Sequence, residues 1–346
     1  MNNLSAKPQM MKKINIALIK KVLKDNSSAT KAEIAKISGI SATTVRTLLE
    51  ELIINEEIVS LGLDESSGGR RAERYALNLN NNLLCLYTKQ EYINYAIVNP
   101  LGNIVENNTV KIDKDEYKKT LTGFIDGIIK NRPIKAIGIG VSGVVDKGNY
   151  FSGKELNNWT KFDLGEYIEE NWNVPAVLEN DLNAMALGFS MNYLEKVQEL
   201  DMKTLNLVYM HFTDAGVGAG IIADGKLIRG ENNFAGELGF IPISDKGYLN
   251  QLLSNDIDDD IYIDIISQVI AMLNCTVNPS FIVIGGESLR RNLIDEIRNS
   301  CRKYLANNII PEIILSEDSD KDYLAGICYI TTEFLYSDIK LIRGNK

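Results

Sequence analysis

The chain has 346 residues, 45% hydrophobic and 24% charged, with a formal net charge of −9. This length exceeds the size at which single cores usually stop growing, and the composition is that of a globular protein, which excludes disordered, fibrous and collagen-like classes. Charge is uneven: residues 1–80 carry 12 Lys and Arg against 9 Asp and Glu, the remainder 25 against 37, so a nucleic-acid partner would meet the front end.

No segment is read as an apolar stretch of bilayer length, and the first residues lack a signal core, so no membrane partner and a cytoplasmic location are expected. Cys85, Cys275, Cys301 and Cys328 form no CxxC pair and read as buried small hydrophobes. The single histidine, His211, reads as a strand residue near a sheet edge and receives no role.

From Lys12 to Lys24, apolar Ile14, Ala17, Leu18, Val22 and Leu23 recur near a helical period, giving a first helix. Thr30 and Glu33 have capping-box spacing for a second, short helix ending at Ser38-Gly39. Ser41 can cap a third helix over Ala42–Leu52, with Val45, Leu48, Leu49 and Leu52 inward. Ser41, Thr43, Thr44, Arg46 and Thr47 lie near its exposed start or flank. A short helix, a glycine turn and a helix opening with hydroxyls and an arginine meet the needs of a helix-turn-helix, although a plain three-helix bundle satisfies the same pattern. Two strands, Glu57–Leu61 and Glu73–Leu77, flank Asp64–Arg71, whose glycines allow a sharp tip and whose Arg70 and Arg71 place cations on it. The sum is a winged helix-turn-helix over residues 1–80, whose wing could grip phosphate or enter the minor groove.

Beyond Asn78 the pattern becomes α/β. Strands are expected at Leu83–Tyr87, Tyr92–Val98 and Asn103–Glu106, a helix at Tyr117–Lys130 and a buried strand at Ala136–Val141. A second cycle runs through Thr204–Phe212, Gly220–Ile222 and Lys226–Ile228 to a helix after Asp260 and a strand at Phe281–Ile284. Two such halves imply lobes over 81–180 and 181–346, with a cleft between them.

Residues 30–78, "TKAEIAKISGISATTVRTLLEELIINEEIVSLGLDESSGGRRAERYALN", resemble the DNA-binding segment of ROK-family regulators. In order, "GIGVSGVVD" (138–146), "VLENDLNAMALG" (177–188), "AGVGAGIIADGKLIRG" (215–230), "FAGELGF" (234–240) and "NPSFIVIGGE" (278–287) are similar to ROK-domain motifs. The resemblance implies an α/β chain: a winged helix-turn-helix followed by a two-lobed, actin-like (ribonuclease H-like) ROK sugar-kinase fold over 81–346.

The resemblance also implies roles. Asp181 matches the general base and Asn180 a sugar-binding neighbour, while "END" also reads as a helix N-cap, a task expected to fall to Asp181 as well. Glu237 matches a sugar-binding glutamate. Ser142 and Gly143 would face the sugar, and Asn158 lies in Glu155–Trp159, where Trp159 fits the family but Glu155 stands at an expected Asn. The first phosphate loop, Asp-x-Gly-Gly-Thr, would fall near Tyr87–Tyr92, yet no glycine or placed aspartate is there, so ATP is not expected. Asp214-Ala215 replaces a Gly-Thr in the second loop. Phe240 replaces the zinc-binding histidine and no cysteine cluster follows, so no zinc or other metal is expected; Asp256–Asp260 reads as an exposed acidic loop.

The expected function is a transcriptional regulator of carbohydrate genes, a repressor, with Asp181 a vestigial base. Its partners would be double-stranded operator DNA, read by Ser41, Thr43, Thr44, Arg46, Arg70 and Arg71, a sugar or sugar-derivative effector, and a second copy in a homodimer or dimer of dimers. Two alternatives stay open: an ATP-dependent sugar kinase with a DNA-binding extension, and a regulator answering to a protein partner.

Overall fold

A computed structural model describes residues 6–64, 71–112, 117–146, 149–152, 160–197, 200–243, 247–253 and 257–336. Its contacts divide the chain into two compact units. The first runs through Gly138 and adds Tyr167–Val177 and the chain from Ile330; the second comprises Ile139–Glu166 and Leu178–Tyr329.

The first unit opens with α1 (Ala6–Asn26), β1 (Ala29–Thr30), α2 (Lys31–Ser38) and α3 (Ala42–Ile54), then β2 (Ile58–Leu63) and β3 (Glu73–Leu77). Thr30 and Glu33 close the expected capping box on α2, and Gly39 takes the left-handed conformation at its end. Ser41 caps α3 by accepting from the Thr44 amide. The inward stripe of α3 joins Ile19, Leu23, Ile34, Ile58 and Tyr75 in one apolar core. The short strand β1, which sequence patterning did not isolate, adds to β3 opposite β2 to make a three-stranded sheet. Arg74 of β3 grips Asp64 with two hydrogen bonds, at 2.8 and 2.9 Å, just before the wing tip.

Next come β4 (Asn82–Lys89), β5 (Tyr92–Val98) and β6 (Ile104–Lys111), an antiparallel meander, then α4 (Tyr117–Asn131) and β7 (Ile134–Val141). After a small sheet of β8 (Val144–Asp146), β9 (Asn149–Ser152) and β10 (Thr160–Phe162) follow α5 (Leu164–Trp172) and β11 (Ala176–Asn180). The larger sheet has the order β11-β7-β4-β5-β6. The expected strand at Asn103–Glu106 extends to Lys111, and the β8–β10 sheet was not anticipated.

The second unit holds α6 (Asp181–Lys196), β12 (Leu207–Thr213), β13 (Gly216–Ala223), β14 (Lys226–Leu227), α7 (Leu249–Leu253), α8 (Asp259–Val277), β15 (Phe281–Gly285), α9 (Ile294–Ser300) and β16 (Glu312–Leu315). The last helix, α10 (Ser319–Tyr336), begins here and its final residues belong to the first unit. The sheet order is β14-β13-β12-β15-β16, with β12, β15 and β16 parallel. Helix α6 lies close on β13, because at Gly220 a Cβ would come within 2.2 Å of the Leu182 carbonyl oxygen.

Several local expectations are corrected. Strand β12 is central in its sheet, so His211 is a buried interior residue rather than one near an edge. Cys275 is exposed, unlike the other three cysteines. Asp259 and Asp260 form the first turn of α8 rather than a loop. Helix α8 is, among the described residues, the one helix long and apolar enough to cross a membrane, contrary to the sequence expectation. Its Ile265, Ile266, Val269, Ile270 and Leu273 are buried in the core of the second unit against β12 and β15.

Candidate functional site

The second unit brings together most of the predicted ligand-binding residues. Asn180, ending β11, caps α6 by accepting from the Leu182 and Asn183 amides at 2.9 and 3.1 Å. Asn180 is therefore the cap, and Asp181, expected to fill that task, is instead the first residue of the helix. The Asn180 amide nitrogen donates to the Gly143 carbonyl and to Asp181 Oδ1, both at 3.0 Å. Ser142 Oγ, which is exposed, donates to Asp181 Oδ2 at 2.5 Å. Turn, strand end and helix start are thus tied into one polar cluster around a single carboxylate.

Glu237 faces the same cluster electrostatically. It lies in the loop before the short helical turn Leu238–Phe240, and its carboxylate makes no hydrogen bond among the described residues. Burial, with the nearby Asp181 charge as second cause, pushes its pKa up to about 7. Asp181 is raised as well, again by burial; hydrogen bonds from Ser142, the Leu182 amide and Asn180 oppose the shift. Two neighbouring, half-buried carboxylates, with no ion pair to either among the described residues, hold protons more tightly than free acids do, and they offer acceptors to hydroxyl donors.

The Glu237 loop is held rigidly. Gly236 has φ +96°, and a Cβ there would sit 1.9 Å from the Ala219 carbonyl oxygen, so the loop lies directly on β13. The Ala219 amide donates to the Gly236 carbonyl at 2.7 Å. Phe240 packs against Phe234, with ring centroids 5.6 Å apart, where the family pattern has a histidine.

Two residues of the cluster escaped sequence reasoning. Glu179, buried beside Asn180, accepts from Asn183 at 3.0 Å and from Arg229 at 2.5 Å. A glutamate on a strand otherwise apolar (Ala176–Leu178) was the available signal that a cation must come from elsewhere. Asn158 and Arg70, with the rest of the Glu155–Trp159 segment and the wing tip, lie outside the described residues.

The turns that would meet a nucleotide are plain. Lys89 pairs with Tyr92, so β4 and β5 are joined by only Gln90 and Glu91, with Gln90 at φ 55°. Between β12 and β13, Thr213 Oγ1 accepts from the Ala215 amide at 3.2 Å, and Ser288 donates to Asp214 at 2.6 Å. Among the described residues no group of three or more potential ligands could hold a metal ion.

In the first unit, the candidate DNA face lies on α3. Ser41, Thr43, Arg46 and Thr47 are exposed and Thr44 half-buried; Ser41 and Thr44 share a hydroxyl contact at 2.8 Å, and Arg46 bonds Glu50 at 3.0 Å. Arg71 is exposed at the wing base.

Residues 85–251 match the model of the ROK family, so the chain carries a ROK family domain. It is 32% identical over 247 residues to the xylose repressor of Caldicellulosiruptor bescii, an alignment covering 68% of this chain and 60% of that protein. The chain spans about three fifths of the length of the curated relatives it matches. A solved ROK family transcriptional regulator, a homologue of the Escherichia coli MLC protein, superposes with a TM-score of 0.67 at 20% identity, over 96% of this chain and all of the other. The ROK hexokinase of Thermus thermophilus gives 0.54 at 17% identity over 72% of this chain and 97% of its own. The fold is therefore the α/β fold shared by ROK regulators and sugar kinases.

Proposed function

We propose that the chain is a DNA-binding transcriptional regulator, a repressor of carbohydrate-metabolism genes, in which the kinase-type site serves as a sugar sensor. The observation that carries it is the pairing, on one chain, of two features. One is the exposed start of α3, with Ser41, Thr43 and Arg46 at the opening of a helix that follows a glycine turn. The other is a preserved carboxylate cluster around Asp181 and Glu237. Residues 1–80 act as the winged helix-turn-helix and residues 81–346 as the effector domain.

The proposed effector is a sugar whose hydroxyls donate to Glu237 and Asp181, with Asn180, Ser142, Gly143 and Asn158 contributing to the pocket. The names of the relatives make xylose the first sugar to try. The sugar must bind the DNA-competent and DNA-incompetent states unequally, since only differential affinity shifts an equilibrium. The protein works in the cytoplasm as a homodimer or dimer of dimers on operator half-sites.

The two-residue β4–β5 turn supports a non-enzymatic role, because it offers no run of backbone amides for phosphate. At the second loop, the Ala215 amide is already engaged and a carboxylate stands at Asp214. The Ser142–Asp181 hydrogen bond favours the competing reading, a sugar kinase with Asp181 as general base.

The test is fluorescence anisotropy of the full chain on DNA from the promoter of its neighbouring genes, titrated with xylose and other sugars. Tight binding that one sugar changes, in a manner lost in Glu237→Ala, is expected. Absence of sequence-specific DNA binding overturns the proposal, as does robust sugar phosphorylation that Asp181→Ala abolishes in a coupled assay.

A further inference from the structure

The first unit contains a polar cavity composed entirely of its own residues. Its walls are α1, the end of α3, the turn into β2, the end of β3 and the segment after it, β7 and the end of α10. It comprises two adjoining spaces of about 340 and 310 Å³ that share Lys20, Asn55, Glu57 and Lys135. That size suits a small molecule. Leu77, Pro100 and Tyr336 supply an apolar wall, and the Tyr336 hydroxyl is engaged by the Pro100 carbonyl.

The charges in this cavity do not balance. Lys20 has only 9% of its side chain exposed and is paired with Glu57. Lys135 is half-buried on β7 and has no ion pair among the described residues. Lys13 adds a third cation at the rim, whereas the other acid there, Glu51, is held by Lys12 at 2.7 Å. An inward lysine without a counter-ion costs free energy unless an anion joins it. Asn55, whose side chain makes no hydrogen bond among the described residues, stands beside it as a donor.

We infer that this cavity is a binding site for a small organic phosphate, held by Lys135 and Lys20 with Asn55, and distinct from the carboxylate cluster of the second unit. Lysine serves phosphate as a point charge with three donors. A phosphate drawing on Lys20 competes with Glu57, which lies between α3 and β2. The occupant therefore changes the seating of α3 against α1. This consequence rests on the DNA-binding reading, but binding itself does not.

Calorimetry and thermal unfolding of the full chain with glucose 6-phosphate, 3-phosphoglycerate, inorganic phosphate and glucose test the site. At least one phosphate ester is expected to bind saturably and raise the melting temperature, while glucose at this site does not. Lys135→Gln should weaken that ester tenfold or more, Lys135→Arg should retain most of the affinity, and Asn55→Asp should also weaken it. Glu237→Ala should leave it unchanged.

The inference is overturned if none of the phosphates binds, if Lys135→Gln binds as well as the parent, if Glu237→Ala abolishes the effect, or if sodium chloride at equal ionic strength raises the melting temperature equally. A separate anisotropy arm asks whether the ester changes DNA affinity in the parent but not in Lys135→Gln. A chain that binds the ester and no DNA would sink the regulatory reading while leaving the site intact.

Discussion

The N-terminal region, Ala6–Leu77, and the Asp181–Glu237 cluster use acidic residues in opposite ways. In the first region, Glu33 is held below the usual carboxylate range chiefly by the Thr30 amide, Asp64 by Arg74, and Glu73 by Tyr75 and Ser60. In the second, Glu237 and Asp181 are raised, chiefly by burial. The first set of acids stabilises the fold by being ionised, and the second would be more stable neutral. Acids kept against their preference mark a place where a protein gives up stability for chemistry, and in the proposed function that chemistry is the acceptance of sugar hydroxyl donors.

The largest effect should come from removing the cation that neutralises buried Glu179. Arg229→Met leaves Glu179 buried without its charged partner and should destabilise the second unit by about 3 kcal/mol, toward the low end for a broken buried pair because Arg229 is 43% exposed. Urea unfolding measures the loss. Adding Glu179→Gln, which keeps an acceptor for Asn183, should restore most of it. If the double variant were as unstable as the single, Arg229 would act through packing, and the contrast between the two regions would lose one support.

Glu237→Gln should have the next largest effect, and with the opposite sign. Its pKa is raised when folded, so its stabilising contribution is complete below the unfolded value of about 4.5 and is lost as pH rises through about 7. The variant should therefore be more stable than the parent at pH 8, by roughly 2 kcal/mol, and indistinguishable from it near pH 4. It should also lose the response to sugar. Unfolding curves across this pH range decide the matter; equal stability at pH 8 would mean that water reaches the carboxylate freely.

Within the N-terminal region, Thr30→Ala removes one half of the capping box on α2 and should cost about 1 kcal/mol. Its pH dependence should run the other way from that of Glu237. Glu33 is lowered, so its contribution is present above the unfolded value and fades as pH falls through the folded one. Thermal unfolding at pH 7 and pH 3 should show a larger deficit at pH 7.

How much of this could be read beforehand follows from distance along the chain. The capping box, the Gly39 turn and the inward stripe of α3 depend on residues three to eight apart, and the chain displays them directly. The strand Tyr92–Val98 was delimited to the residue, because its apolar run is local and the turn residues Asn99-Pro100-Leu101-Gly102 close it. The Glu179–Arg229 pair spans 50 positions, and no period or motif connects the two. The β8–β10 sheet pairs short, weakly alternating strands that register alone defines. At Asn180-Asp181 the sequence reading gave the cap to Asp181, and backbone geometry assigns it to Asn180. The family motifs located Glu237, but that its loop lies directly on β13 through Gly236 is a three-dimensional fact.

Arg46 should give the smallest effect on stability and the sharpest separation between folding and function. Its guanidinium is 70% exposed and its partner, Glu50, lies one turn along the same helix and is also exposed. Such a pair contributes about 0.3–0.5 kcal/mol at most, so Arg46→Ala should unfold within about 0.5 kcal/mol of the parent. If α3 enters a major groove by its start, the same change removes a base or phosphate contact and should weaken operator binding about tenfold or more. Loss of a phosphate contact would act equally on all DNA and reduce the salt dependence by about one ion, whereas loss of a base contact would relax preference at one operator position. Glu50 competes for the guanidinium in the free protein, so Glu50→Ala should leave specific binding equal or stronger. Were Arg46→Ala to bind DNA as the parent does, the exposed hydroxyls and arginine of α3 would be an ordinary solvated face, and the N-terminal region would need another explanation for its charge.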